Sequence, residues 1–203
     1  KENICEFWEA VIREEARDSQ QPEMDIVNRM TQMYRAMKEA DETYDDTLTS
    51  HSGLSGKNGK RMADYAATHK CMCGEFGGAV MARAIKMAES NACMKRIVAA
   101  PTAGSCGVVP AILITYERMT NTSENDMVKA LFVAAGIGDV IARRASISGA
   151  RGGCQAEIGA SSAMAAGALA WLKSGSSHLI TQAAAMALKS LLGLVCDPVA
   201  GLV

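Results

Sequence analysis

Residues 179–194 read LITQAAAMALKSLLGL, and this stretch decides the fold class. Ile180, Ala184, Leu188 and Leu191 recur at the spacing that stacks side chains along one face of an α-helix. Alanine, leucine and methionine, all strong helix formers, supply most of the remainder. Immediately upstream, residues 163–172 form the longest unbroken apolar run, AMAAGALAWL, about half of the ~18 residues that suggest a membrane span. The same pattern predicts helices over 161–172, 126–143, 108–119 and 76–90, with Ser123 placed as an N-terminal cap ahead of Asp126. No stretch alternates apolar and polar residues over the length of a strand. The reading is all-α.

Further toward the N-terminus, Ile4, Phe7, Trp8, Val11 and Ile12 share one helical face within residues 2–18. A second helix is expected from Pro22, carrying Ile26, Met30, Met33, Tyr34 and Met37 inward. The acidic run 39–46 reads as a solvated helix end or linker. The chain thus divides into an N-terminal helical segment, 1–48, and an Ala/Gly-rich helical domain with glycine-rich loops, 49–203.

Composition excludes several classes. Of 203 residues, 49% are hydrophobic, enough for a core, and disorder is a poor reading. Lysine plus arginine number 21 against 22 acids, so nothing suggests a nucleic-acid binder. No basic region followed by an apolar stretch opens the chain, and the expectation is a soluble cytoplasmic protein without a membrane span. Seven cysteines, an odd number with no secretory signal, are expected to be reduced thiols, some of them metal ligands.

Three motif-like stretches fail on chemistry. Gly53-Leu54-Ser55-Gly56-Lys57-Asn58-Gly59-Lys60 imitates a phosphate loop, but its spacing is too long and Arg61 stands where a hydroxyl must bind magnesium. Gly136-Ile137-Gly138 lacks a third glycine and a preceding strand, and reads instead as a close helix contact. His69, Cys71 and Cys73 have no second ligand pair at finger-like spacing and read as free thiols; Cys5 and Cys93 read as small core residues.

Chemistry concentrates in three loops: Ser52-Gly53-Leu54-Ser55-Gly56, Pro101-Thr102-Ala103-Gly104-Ser105, and 146–154. Small residues allow close backbone approach to a ligand, and helix N-termini attract carboxylates. Cys154 precedes a predicted helix, where the dipole favours a thiolate, and Cys196 precedes Asp197-Pro198, a stop signal. On residues alone, ordinary caps and packing glycines remain an equal alternative.

The segments Asn91-Ala92-Cys93-Met94, 101–107 (PTAGSCG), 145–150 (ASISGA), 152–159 (GGCQAEIG) and 192–201 (LGLVCDPVAG) resemble the α chain of iron–sulfur L-serine dehydratases from about residue 52 onward. The resemblance implies a [4Fe–4S] lyase of amino-acid degradation and gluconeogenesis that deaminates L-serine to pyruvate and ammonia without pyridoxal phosphate. It matches Cys154 and Cys196 to two cluster ligands, and makes Ser52, Gly53, Ser55, Thr102, Gly104 and Ser105 the candidate substrate-binding residues. The family's third thiolate lies further on, so the expectation is a chain truncated before it and inactive when isolated. Cys106 is not expected to replace that ligand. His51 reads as a solvated loop residue, and the resemblance implies a catalytic base from a β chain or domain within a homo- or hetero-oligomer.

Departures from the family pattern are Lys57-Asn58 after Gly56, Lys95 in place of glycine, Arg144 before the ASISG element, and Arg151. Added cations either assist a carboxylate or block the site. A non-catalytic helical partner module and, more weakly, a cluster-dependent L-cysteine desulfidase are the alternatives.

Overall fold

In a computed structural model, which describes residues 5–193, helices account for all the regular structure. They are α1 (Phe7–Ser19), α2 (Glu23–Glu42), α3 (Asn58–Ala66), α4 (Gly74–Ala92), α5 (Val108–Thr120), α6 (Glu124–Arg144), α7 (Gly149–Ser174) and α8 (Ser177–Ser190), with one 3-10 turn at Ala103–Ser105. No strand occurs among the described residues, in agreement with the all-α reading. Nor is any described helix long and apolar enough to cross a membrane.

The chain forms two compact units. One comprises residues up to Tyr34 together with those from Ser123 onward; the other is Arg35–Thr122. In the first, α6 packs between α1 and α7, and α7 packs along α8. Met127, Val133, Ala165, Ala168 and Ile180 are all buried there. Absent side chains set the helix spacing: a Cβ on Gly136 would stand 2.5 Å from Val11 Cγ2, and one on Gly167 only 2.1 Å from Ile137 Cδ1. Gly136 is therefore a packing glycine, as its sequence context suggested. The expected cap holds α6, with Ser123 Oγ accepting from the Asp126 amide at 3.2 Å and donating to Asp126 Oδ2 at 2.8 Å.

In the second unit, α4 packs against α3 and α5, and Val109, Leu113 and Ile114 of α5 are completely enclosed. Gly107, at the start of α5, brings it within reach of the α4 backbone, since a Cβ there would lie 2.6 Å from the Ala84 carbonyl oxygen.

Several expectations need correction. Helix α7 starts at Gly149 rather than 161, because Ser148 has extended cap geometry and the glycine-rich stretch closes a helical turn before a break at Gly153. Helix α3 was not anticipated; its short, mostly polar sequence carries no long apolar period. The acidic run is not wholly solvated: residues 39–42 form the last turn of α2, and Asp41 is buried. Met33 is 43% exposed, off the face that buries Ile26, Tyr34 and Met37. Cys5 lies ahead of α1 and Cys93 caps α4; both are half-buried, and Cys106 is the buried cysteine among those described. Ile4, Leu194 and Cys196 lie outside the described residues.

Candidate functional site

In the second unit the hydroxyl-bearing loops are tied to one turn, the C-terminal end of α4. Glu89, only 4% exposed, points its carboxylate at the start of α3. The Asn58 amide donates to its Oε1 at 2.7 Å, the Gly59 amide to Oε2 at 3.0 Å, and the Tyr44 hydroxyl to Oε2 at 2.7 Å. These amides are orphan donors of a helix N-terminus, and the carboxylate satisfies them while opposing the helix dipole. Burial pushes the Glu89 acid upward, but hydrogen bonds from Tyr44 and from the backbone of Gly59, Asn58 and Gly56 outweigh it, leaving Glu89 below its ordinary 4.5. Tyr44 is pushed up to about 12 by burial and by its bond to Glu89. Glu89 is therefore an ionised anchor and a poor proton acceptor. Two residues on, Asn91 Nδ2 donates to the Ala103 carbonyl at 3.1 Å and holds the 3-10 turn.

The first loop is closed by its own polar groups. The Ser50 amide donates to the Ser55 carbonyl at 2.8 Å, and the Ser55 amide to Ser50 Oγ at 3.1 Å. Ser52 and Gly53 at the tip are exposed and Ser55 is half-buried. Gly53 has φ +73 and Gly56 φ +147, conformations that disfavour a side chain, and a Cβ on Gly56 would strike the Leu48 carbonyl at 2.6 Å. In the second loop Gly104 is exposed and Thr102 half-buried, whereas Ser105 is 1% exposed. The Ser105 hydroxyl lies 3.2 Å from Thr102 Oγ1 and 3.4 Å from the Ala100 carbonyl. It braces its own loop.

The other unit carries Cys154. Gly153, at φ 67 and ψ −169, breaks α7, so Cys154 opens the long regular part of that helix and is half-buried. A sulfur at the first turn sits at the positive end of the helix dipole, chemistry that suits a thiolate ligand. A Cβ on Gly149 would stand 2.9 Å from the Glu157 carboxylate, which therefore folds back over the start of α7. The described residues hold no group of three or more His, Cys, Asp or Glu able to bind a metal ion. The position of Cys154 at that first turn suits a thiolate, but no ligand set assembles around it among the described residues. Cys106 does not suit a thiolate: it is buried, its thiol approaches the Met87 carbonyl at 3.9 Å, and burial pushes it up to about 11.

The unusual cations are partly engaged. Lys95 Nζ bonds to the Thr43 carbonyl, whereas Lys57 is exposed at φ 69, immediately before α3. Sequence reading missed Glu89, and took Asn91 only as part of the Asn91-Ala92-Cys93-Met94 segment without giving it a role. The available signal was an acid and an amide in the last turn of an otherwise Ala- and Met-rich helix, an ordinary pattern for a solvated helix end.

The family described as serine dehydratase alpha chain matches residues 2–203. A probable L-serine dehydratase alpha chain of Bacillus subtilis (strain 168) is 38% identical over 203 residues, covering 100% of this chain and 68% of its own length. The L-serine dehydratase alpha chain of Peptoniphilus asaccharolyticus is 38% identical over 205 residues, covering 100% of this chain and 70% of its own. L-serine dehydratase 1 of Escherichia coli (strain K12) is 46% identical over 119 residues, 58% of this chain and 26% of that protein.

Proposed function

Since the chain belongs to the serine dehydratase alpha chain family, we propose that it is the α component of a cytoplasmic, iron–sulfur-dependent L-serine ammonia-lyase that works with a β chain or domain. The full-length family match is the observation that carries this reading. The position of Cys154 after the Gly153 break supports it.

Hydroxide is a poor leaving group and the serine α-proton is weakly acidic, so elimination needs help at both positions. A [4Fe–4S] cluster with one open iron supplies Lewis-acid assistance to departure of the β-hydroxyl when bound. Cys154 would give it one thiolate and Cys196, outside the described residues, a second. Ser52, Ser55 and Thr102 would receive the substrate carboxylate through their hydroxyls, with Gly53 and Gly104 leaving room for its close approach and Ser105 holding Thr102 in place. Loss of water leaves aminoacrylate, which tautomerises to the imine and hydrolyses to pyruvate and ammonia.

Anaerobic reconstitution of the protein and its β component with iron and sulfide tests the reading. Expected are a visible thiolate-to-iron absorption band and pyruvate formation from L-serine exceeding turnover of L-threonine and L-cysteine. Cys154→Ser is expected to lose both the band and turnover. Protein that takes up iron and sulfide but leaves L-serine unchanged would overturn it, as would preferred release of sulfide from L-cysteine.

A further inference from the structure

Glu89 is drawn into the interior from the last turn of α4, where the Tyr44 hydroxyl and the Asn58 and Gly59 amides donate to its two oxygens and the Gly56 backbone adds a further bond. Two of those donors are the amides of the first two residues of α3, and the chain reaches α3 directly from the serine loop through Gly56 and Lys57. Gly56 leaves little freedom in that connection, being pressed against the Leu48 carbonyl. Gly59 adds a second constraint, since a Cβ there would stand 2.6 Å from Lys86 Cγ and 3.0 Å from the Lys86 backbone nitrogen. The end of the loop is therefore clamped against α4 by packing at Gly59 and by charge-assisted hydrogen bonds at Glu89.

The tip of the loop has no such support. Ser52 and Gly53 are exposed, and the bonds closing the loop are those among Ser50, Ser52, Gly53, Leu54 and Ser55 themselves. A loop closed only on itself keeps its orientation through its ends. We propose that Glu89 is a positioning residue for substrate binding: its carboxylate fixes the start of α3, and thereby the angle at which the Ser52 and Ser55 hydroxyls are presented to the substrate carboxylate. This rests on the serine-lyase reading above. Glu89 acts through the loop and neither touches substrate nor moves the α-proton.

Glu89→Gln exchanges one carboxylate oxygen for an NH2 group, so one of the converging donors then faces another donor. In the reconstituted enzyme the expected result is a rise of about tenfold or more in KM for L-serine with kcat within about threefold of wild type. A base would show the opposite split, and a kcat loss of about a hundredfold at unchanged KM overturns the proposal. Hydrogen exchange on the purified chain gives a readout independent of turnover. The amides of residues 50–59 should exchange about tenfold faster in the variant while those of residues 113–116 keep their wild-type rates. Unchanged exchange at 50–59 overturns the proposal even if the wild type proves not to deaminate serine. A wild type without serine turnover but with the expected exchange change sinks the functional reading alone and leaves the anchor standing.

Should Glu89→Gln not fold, Tyr44→Phe removes one donor and leaves the carboxylate bonded to its backbone donors. A smaller rise in exchange over 50–59, about two- to fivefold, is then expected. Wild-type exchange there counts against the proposal.

Discussion

Replacing Gly107 by alanine tests how tightly α5 is seated on α4. The added Cβ would lie 2.6 Å from the Ala84 carbonyl oxygen and 3.2 Å from both its carbonyl carbon and its Cα. Ordinary contact begins ~0.8 Å further out than the shortest of these, and all three atoms are backbone of a regular helix, so no rotamer change relieves them. Relief requires α5 to move. That helix holds Val109, Leu113 and Ile114 in complete enclosure, so a shift loosens the core of its unit. Overpacking costs about 1–3 kcal/mol in general, and a clash with backbone belongs at the upper end, ~3 kcal/mol. Gly138→Ala is the control: its closest neighbour is the Met164 sulfur at 2.9 Å, the middle of a flexible side chain, and helix propensity favours alanine by up to ~1 kcal/mol. The net change there should stay within ~1 kcal/mol. Urea unfolding at neutral pH, compared at constant m, measures both. If Gly107→Ala is as stable as wild type within ~0.5 kcal/mol, the close approach of α5 to α4 is wrong.

Met94 lies just past α4 at φ 60, with its amide bonded to the Asn91 carbonyl and the Lys95 amide to the Ser90 carbonyl, a termination that favours glycine. Because its side chain is 92% exposed, Met94→Gly removes left-handed strain without losing packing and should stabilise by about 0.5–1 kcal/mol in the same urea experiment. Asp41 is shared by Arg83 at 3.1 Å and Arg118 at 3.2 Å, so Asp41→Ala strands a largely buried guanidinium and should destabilise by about 3 kcal/mol. Glu89, held below its ordinary 4.5, contributes stability that is fully present above that value and is lost as pH falls through its lower folded value. Acid titration of unfolding should therefore show a shallower loss of stability below pH 4.5 in Glu89→Gln than in wild type, and parallel curves would refute that assignment.

The helical class was legible because it depends on near-neighbour terms. Ile180, Ala184 and Leu188 share a face whatever else the chain does, and Ser123 caps α6 through an amide three residues away. Cys154 and the hydroxyls of Ser52, Ser55 and Thr102 were singled out by the family resemblance of their glycine-rich segments, since on residues alone ordinary caps and packing glycines were an equal alternative. Where local terms are weak, the reading went astray: α3 lacks an apolar period, and Met33 fits its helical face by spacing yet lies in solvent.

Burial and long-range polar pairing were decided only by tertiary structure. Asp41 sits in an acidic run that resembles any solvated helix end, until Arg83 and Arg118 close on it from residues far along the chain. Glu89 looks equally ordinary; it and Asn91 become anchors because α3 and the 3-10 turn are brought onto the same turn of α4. Ser105 has the composition of a ligand-binding hydroxyl, yet the fold encloses it against its own loop. Spacing along a chain specifies a local face because helix geometry is periodic; which polar atom finds which partner depends on contacts across dozens of residues, and no local period carries that information.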